Sequence, residues 1–308
     1  MINKTFKNSL ESQGYTIKGE YSGYRNTQIH LSKNSKEYML CIYKKEKKIK
    51  NRIDNADRIM SLCYPALPVK QRIKVISTSP SLIILYSYLP GNTISWEGYT
   101  MKHIKGLGEY MGKLHTILGR IRYKDIELEN EIDLSVSHLK EMDKYFKDKG
   151  VLEAMKNKLQ VYPSFDTKKY LKVFNELRSM NSQILHMDFV RGNILFNAKK
   201  EITGIIDFEK CSYGPRVLDI ARTLAFLLVD CKYKSEEKIR KYFLYSGYSK
   251  RGKMKVPSSK LINKLVNFFL LYDFFKFLYH TPYESLKDNE HFIRTRNRLL
   301  ESKVICLI

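Results

Sequence analysis

Apolar and polar positions alternate with a period of two over residues 15–21 and 27–31, on either side of a Ser22-Gly23 turn. Alternation of this kind marks strands with one buried face. Residues 38–43 form a short β-branched and aromatic run after the turn-like Lys33-Asn34-Ser35-Lys36, which reads as a strand. The period then lengthens, and residues 47–62 read as a helix stopped by Pro65 and Pro68. Two further strands are expected at residues 73–76 and 82–88 before Pro90-Gly91 breaks the chain.

Beyond that break the pattern is mainly helical. Ile104, Leu107, Met111 and Leu114 fall on one face of a helix over residues 101–117. Helices are also expected over 134–148 and 166–179, and again from Asp219 onward, with a loop-and-strand section over 183–207. The reading is an α+β fold: a small β-rich N-terminal lobe, residues 1–89, and a larger, mainly helical C-terminal lobe, residues 90–308.

At 308 residues and 43% hydrophobic content the chain is long and apolar enough to build a sizeable core. The aromatic stripe over residues 265–278 contains Asn, Asp and Lys and is too short to span a bilayer, so it reads as a buried helix, and no membrane partner is expected. The first residues lead into no apolar run, and five scattered cysteines form no CxxC pair, which fits a reducing cytoplasm. The net charge of +23 raises the question of polyanions. The densest basic run, residues 44–52, is interrupted by Glu46 and accompanied by no nucleic-acid motif, so the charge reads as solvated faces and a nucleic-acid partner is not expected.

The strongest chemical signal is His186-Met187-Asp188-Phe189-Val190-Arg191-Gly192-Asn193, set between apolar runs, with Ile206-Asp207-Phe208-Glu209 just downstream. Two carboxylates and a carboxamide on loops between buried strands suit phosphoryl transfer. One carboxylate takes the proton of an attacking hydroxyl; another, with an amide oxygen, offers hard ligands to Mg2+ on the phosphates. Arg191 adds a cation to the loop, either to stabilise the transferring group or to pair with a nearby acid.

These residues resemble the aminoglycoside phosphotransferase/choline kinase family, including its homoserine-kinase and spore-coat-kinase relatives. That family has a His-x-Asp-x-x-x-x-Asn loop, an Ile-Asp-Phe/Trp-Glu/Asp segment, and a Gly-x-x-x-x-Asp-Leu-Ala helix start, matched here by Gly214 to Ala221. Tyr88 to Ile94, Leu107 to His115 and the Ser22–Asn26 turn are similar to the segment just after its hinge, its Leu-His helix and its shortened phosphate loop. The resemblance covers roughly residues 10 to 230. It implies a protein-kinase-like fold and an enzyme that moves the γ-phosphate of ATP or GTP onto a small hydroxylated acceptor. Asp188 would then be the base; Asn193 and Asp207 would hold Mg2+, with Glu209 on a second ion or a water. His186 would brace the loop, and Asp219 would cap its helix. Gly23 and Asn26 would lie at the phosphates, and Ser87, Tyr88 and Leu89 at the nucleotide base.

One position departs from the family. Relatives carry Arg or Lys on the third strand to bind the phosphates, paired to a helix Glu. This chain has Cys41 there, with Asn55 near the place of the Glu and Asp54 and Asp57 close by. Lys44, Lys45 or Arg25 is the expected substitute, with Lys44 in the candidate nucleotide-binding set. Loss of the cation also motivates a second reading, a nucleotide-binding pseudo-kinase or scaffold. A protein kinase is disfavoured, because no Ala-Pro-Glu segment follows Asp207. His115 reads as a packing residue at a helix end.

Overall fold

The computed structural model describes residues 4–23, 26–44, 48–78, 81–121 and 126–307. In chain order the first elements are α1 (Lys4–Ser12), β1 (Thr16–Ser22), β2 (Asn26–Lys33), β3 (Lys36–Tyr43), α2 (Ile49–Cys63), β4 (Arg72–Ser77) and β5 (Leu82–Ser87). Next come α3 (Met101–Leu118), α4 (Glu131–Phe146), α5 (Lys149–Ala154), β6 (Val161–Pro163), α6 (Thr167–Leu177), β7 (Ser182–Leu185), β8 (Ile194–Phe196), β9 (Ile202–Ile205) and β10 (Ser212–Pro215). The chain ends with α7 (Val217–Asp230), α8 (Glu236–Arg240), a wide helical segment Lys241–Ser249, α9 (Ser259–His280), α10 (Tyr283–Leu286), α11 (Glu290–Glu301) and β11 (Ile305–Leu307). Two compact units result: Met1–Thr93 with Asn193–Glu209, and Ile94–Gly192 with Lys210–Ile308. The β8–β9 hairpin therefore clusters with the N-terminal strands, although it lies far beyond residue 89 in sequence.

The first unit is built on a five-stranded antiparallel sheet of order β1-β2-β3-β5-β4. Asn34 and Ser35 both adopt positive φ, so β2 and β3 are joined by a tight two-residue hairpin turn, as Lys33-Asn34-Ser35-Lys36 led one to expect. Strand alternation sorts the side chains onto two faces. Leu40 and Leu85 join Ile29, Leu31 and Leu10 of α1 in one cluster; Cys41, Tyr43, Ile84 and Tyr86 join Ile49 and Ile53 of α2 in the other. Helix α1 was not expected, because its apolar signal is only Phe6 and Leu10. It forms because those two residues pack against the sheet. Pro90 to Asn92 lies along the β8–β9 hairpin: Asn92 bridges Phe196, and Thr203 Oγ1 donates to the Pro90 carbonyl at 2.6 Å. Gly91 has φ +118, and a Cβ there would stand 2.3 Å from Thr203 Oγ1, so the expected chain break is a glycine-dependent docking point.

The second unit is helical, with its core on α9. Phe268, Phe269, Phe274, Phe275 and Leu278 are buried, as the aromatic stripe implied. No helix among the described residues is long and apolar enough to cross a membrane. Helix α3 packs so closely on the 241–252 segment that a Cβ at Gly108 would stand 2.1 Å from the Phe243 carbonyl oxygen. This approach sets the position of His115 at the end of α3. Strand β10 pairs with β7; it was not expected, since Gly214 and Pro215 were read as the approach to a helix start. The β6–β11 pair was also missed, because its three-residue strands are short and far apart in sequence.

Candidate active site

The His186–Asp188 loop leaves β7 in the second unit, and its backbone is held by one buried carboxylate. Asp219, fully buried on α7, accepts from the His186 N–H at 2.9 Å (Oδ2) and from the Met187 N–H at 3.0 Å (Oδ1). The expectation that Asp219 caps its helix is therefore corrected. The helix begins at Val217, and the carboxylate reaches across to the loop. His115 is packed near the end of α3, as expected, and also carries two polar contacts. It is buried, with Nε2 3.2 Å from Asp219 Oδ2 and Nδ1 2.9 Å from the Tyr248 hydroxyl. Nε2–H donates to the carboxylate, and Nδ1 shares a hydrogen bond with the Tyr248 hydroxyl. Burial pushes the Asp219 carboxyl up, but the hydrogen bond and charge of His115 and the loop amide of His186 outweigh it and hold it below the usual range.

Held in this way, Met187 adopts φ +57 and the loop turns sharply. The Asp188 N–H donates to His186 Nδ1 at 3.3 Å, so His186 braces the loop through its ring. Thr223 Oγ1 donates to the Phe189 carbonyl at 3.2 Å. Asp188 is largely buried, and its Oδ2 lies 2.9 Å from Lys210 Nζ. Lys276, placed over Tyr272, is within electrostatic reach of both Asp188 and Lys210. Arg222 forms two hydrogen bonds to Asp273 at 2.7 and 3.0 Å. Arg191 pairs with Asp230 at 3.4 Å, the acid-pairing alternative of the sequence reading. Burial pushes Asp230 up to about 6 even against that arginine.

Asn193 and Asp207 belong to the first unit. The Asn193 carbonyl accepts from the Ile206 N–H at 2.9 Å, and Ile194 pairs with Ile205. Asn193 and Asp207 therefore flank the same end of the β8–β9 hairpin. Asp207 takes a left-handed φ of +63, which turns the chain as it leaves β9. An amide oxygen and a carboxylate are hard donors of the kind Mg2+ prefers, and Mg2+ usually completes its shell with phosphates and water. The residues present thus fit that ion. No group of three His, Cys, Asp or Glu that could hold a metal occurs among the described residues. Glu209 lies 3.8 Å from Arg52 of α2.

The nucleotide-side candidates also lie in the first unit. The Gly23 N–H donates to the Asn26 carbonyl at 2.8 Å, closing the β1–β2 turn; Tyr24 and Arg25, with Lys45, lie outside the described residues. Ser87 is engaged by Gln71, donating its N–H at 2.9 Å and accepting at Oγ at 2.8 Å, which commits the backbone donor expected to face a nucleotide base. Tyr88 stacks on His30 at 4.1 Å, and Leu89 follows it. Lys44 is exposed just past the end of β3.

The side chain beside Cys41 is one that the sequence reading missed. Lys70 Nζ stands 4.0 Å from Cys41 Sγ and 4.0 Å from the centre of the Tyr86 ring. Of the α2 acids, Asp57 is the buried one. It accepts from the Tyr86 hydroxyl at 3.0 Å and pairs with Arg72, while Asp54 takes the other end of that guanidinium at 2.7 Å. The helical period could have singled out Asp57, which falls with Ile53 and Met60 on the buried face of α2. Nothing in the sequence pointed to Lys70, which lies in the connection before β4.

With the loop, the hairpin and both units in view, the comparisons converge. The family described as "Phosphotransferase enzyme family" matches residues 17–232, and the chain belongs to that family. It is a phosphotransferase with a protein-kinase-like fold. No curated protein matches the chain in sequence. Among solved structures, macrolide 2'-phosphotransferase MphH from Brachybacterium faecium is 13% identical, with 95% of this chain and 97% of that one covered at a TM-score of 0.62. The gentamicin complex of APH(2")-IIa is 18% identical, covers 98% and 97%, and has a TM-score of 0.57. Plasmodium vivax ethanolamine kinase is 16% identical, covers 96% and 85%, and has a TM-score of 0.55.

Proposed function

We propose that this chain is a small-molecule kinase that transfers the γ-phosphate of ATP or GTP to the hydroxyl of a small metabolite or antibiotic. The observation that carries this reading is the Asp188 loop. Its backbone is fixed by a fully buried Asp219, so one carboxylate is presented on an over-determined turn. Relatives that share the fold include kinases and antibiotic phosphotransferases, which supports the class of acceptor.

In this reading Asp188 orients the acceptor hydroxyl and accepts its proton as the oxygen attacks the γ-phosphorus. The bond to the bridging oxygen breaks, and the nucleoside diphosphate leaves. Asn193 and Asp207 would hold Mg2+, which when bound offsets charge on the phosphates. Glu209, paired with Arg52, would sit behind that set, on a second ion or a water. Gly23 and Asn26 would approach the phosphates, and Tyr88 and Leu89 the nucleotide base. Arg191 would add positive charge beside the transferring group, in competition with its pairing to Asp230. Lys210 and Lys276 near Asp188 favour a neutral or anionic alcohol over a polycationic one. A cytoplasmic location fits a soluble metabolite and its nucleotide.

Cys41 favours one second reading, a protein that binds nucleotide without transferring phosphate. Two variants separate the readings. Asp188→Asn should lower turnover by several orders of magnitude while leaving Mg·nucleotide binding intact, and Asp207→Ala should abolish the Mg2+-dependent part of that binding. Unchanged turnover in Asp188→Asn would remove Asp188 from the mechanism. Nucleotide binding by the wild type without turnover on any acceptor would favour the second reading.

A further inference from the structure

The third strand has lost its cation, yet the space beside it has not lost its charge. Cys41 points to the α2 face of the sheet, in one cluster with Tyr43, Ile53 and Tyr86. Burial raises the Cys41 thiol well above its ordinary value, so it stays neutral and offers no charge of its own. A lysine at this strand position would carry its ammonium past the Cβ into the space above the same cluster. Lys70 Nζ is already there, 4.0 Å from Sγ and 4.0 Å from the Tyr86 ring. We infer that Lys70 is the cation that binds the α- and β-phosphates of the nucleotide in this chain, in place of the strand residue at Cys41. The inference rests on the kinase reading above.

Three features support the assignment. The first is the route of the backbone. Val69 bridges Ile205 in parallel, and the Ile205 N–H donates to the Pro68 carbonyl at 2.8 Å. Residues 68 to 70 therefore run alongside 205 to 207, and Lys70 enters the site from a segment tied to the one that ends in Asp207. The ammonium is fixed with respect to the metal-binding candidates of its own unit.

The second is the helix carboxylate. Relatives pair their strand cation with an acid on the helix that packs on this face. Here α2 supplies Asp57, buried beneath the same ring, with the Tyr86 hydroxyl 3.0 Å from its Oδ2 and the charge of Lys70 acting on it. Arg72 already pairs with that carboxylate, so Asp57 does not neutralise Lys70 outright. The strand cation and helix acid were thus both moved rather than both lost.

The third is what surrounds the ammonium. An aromatic face and a neutral thiol orient a cation without cancelling its charge. Among the described residues no carboxylate oxygen stands at ion-pair distance from Lys70. A half-buried ammonium in that setting favours an anionic ligand, and two phosphates supply it. Lys44 is a poorer candidate: it is exposed and follows Tyr43, so strand alternation directs it away from the Cys41 face.

The test is a binding measurement. Calorimetric titration of Mg·ATP, ADP and adenosine would be run on wild type, Lys70→Met and the double variant Cys41→Lys/Lys70→Met, with melting temperatures alongside. Losing one charge-assisted phosphate contact is expected to weaken ATP and ADP about 10- to 100-fold. Adenosine binding and the melting temperature should stay at wild-type values. Returning the lysine to the strand in the double variant should restore most of the lost affinity, which a merely structural role for Lys70 would not allow. Wild-type ATP affinity in Lys70→Met overturns the inference and leaves the kinase reading standing, as does a loss that falls equally on adenosine. A wild type that binds no nucleotide overturns both.

Discussion

Replacing Asp219 by Asn is the sharpest probe of how the fold presents Asp188. The carboxylate accepts three hydrogen bonds in a fully buried setting: the His186 N–H and His115 on Oδ2, and the Met187 N–H on Oδ1. Asn has one acceptor. If its oxygen serves Oδ2, its NH2 faces the Met187 N–H, and a buried donor is left unsatisfied at about 1–3 kcal/mol. The other two bonds also lose their charge assistance, which brings the expected total to roughly 2–4 kcal/mol. Urea unfolding at neutral pH reads that figure, and the accompanying loss of melting temperature should be roughly 5–15 °C. Because Asp188 directly follows the two tethered amides, kcat should fall about 10- to 100-fold while ATP affinity holds. The pH dependence adds a signature. The folded carboxyl titrates below its unfolded value, so its stabilisation is present above the unfolded pKa, near 4, and is lost as pH falls through the folded one. The gap between wild type and Asp219→Asn should therefore narrow on acidification below about 4. A variant within about 0.5 kcal/mol of wild type at neutral pH, or a gap that persists unchanged into acid, would refute the reasoning.

Other predictions address the second unit. Burial pushes Glu131, at the start of α4, up to about 7. A raised acid favours the protonated fold, so its stabilisation is present below the unfolded pKa and lost as pH rises through about 7. Glu131→Gln should remove that slope and gain up to about 3 kcal/mol at pH 8, read by urea unfolding across pH 5 to 8; a parallel slope in the variant would show that the group is not responsible. Gly108→Ala places a Cβ 2.1 Å from a backbone oxygen and should cost about 2 kcal/mol or more, with a melting temperature lower by roughly 4–8 °C. A neutral outcome there would mean that α3 does not pack on the 241–252 segment as described.

Much of the fold was legible because local patterning and tertiary packing agree. The strands of the first unit and the helices α2, α3 and α6 follow the periods of their apolar residues. Elements that escaped the pattern depend on distant partners. α1 leans on the sheet through Phe6 and Leu10, β10 exists because β7 pairs with it, and β6 needs β11 from the end of the chain. The site divides in the same way. Asp188, Asn193 and Asp207 announced themselves because their chemistry is written in a short stretch of sequence. Asp219 was seen, but its role was misread, because a carboxylate that looks like a helix cap from its neighbours is turned onto a loop more than thirty residues away. Lys70 was invisible: a lysine in a connection, in a chain with 55 lysines and arginines, carries no signal until the backbone is laid against β9.

The most direct test of the central claim is transfer of label from γ-labelled ATP and GTP, with Mg2+, into a pooled extract of hydroxylated metabolites and antibiotics, wild type beside Asp188→Asn. A labelled small molecule is expected from the wild type and not from the variant, with its mass naming the acceptor. The same labelled product at the same rate from Asp188→Asn, or nucleotide bound but never turned over across every acceptor offered, would contradict that claim.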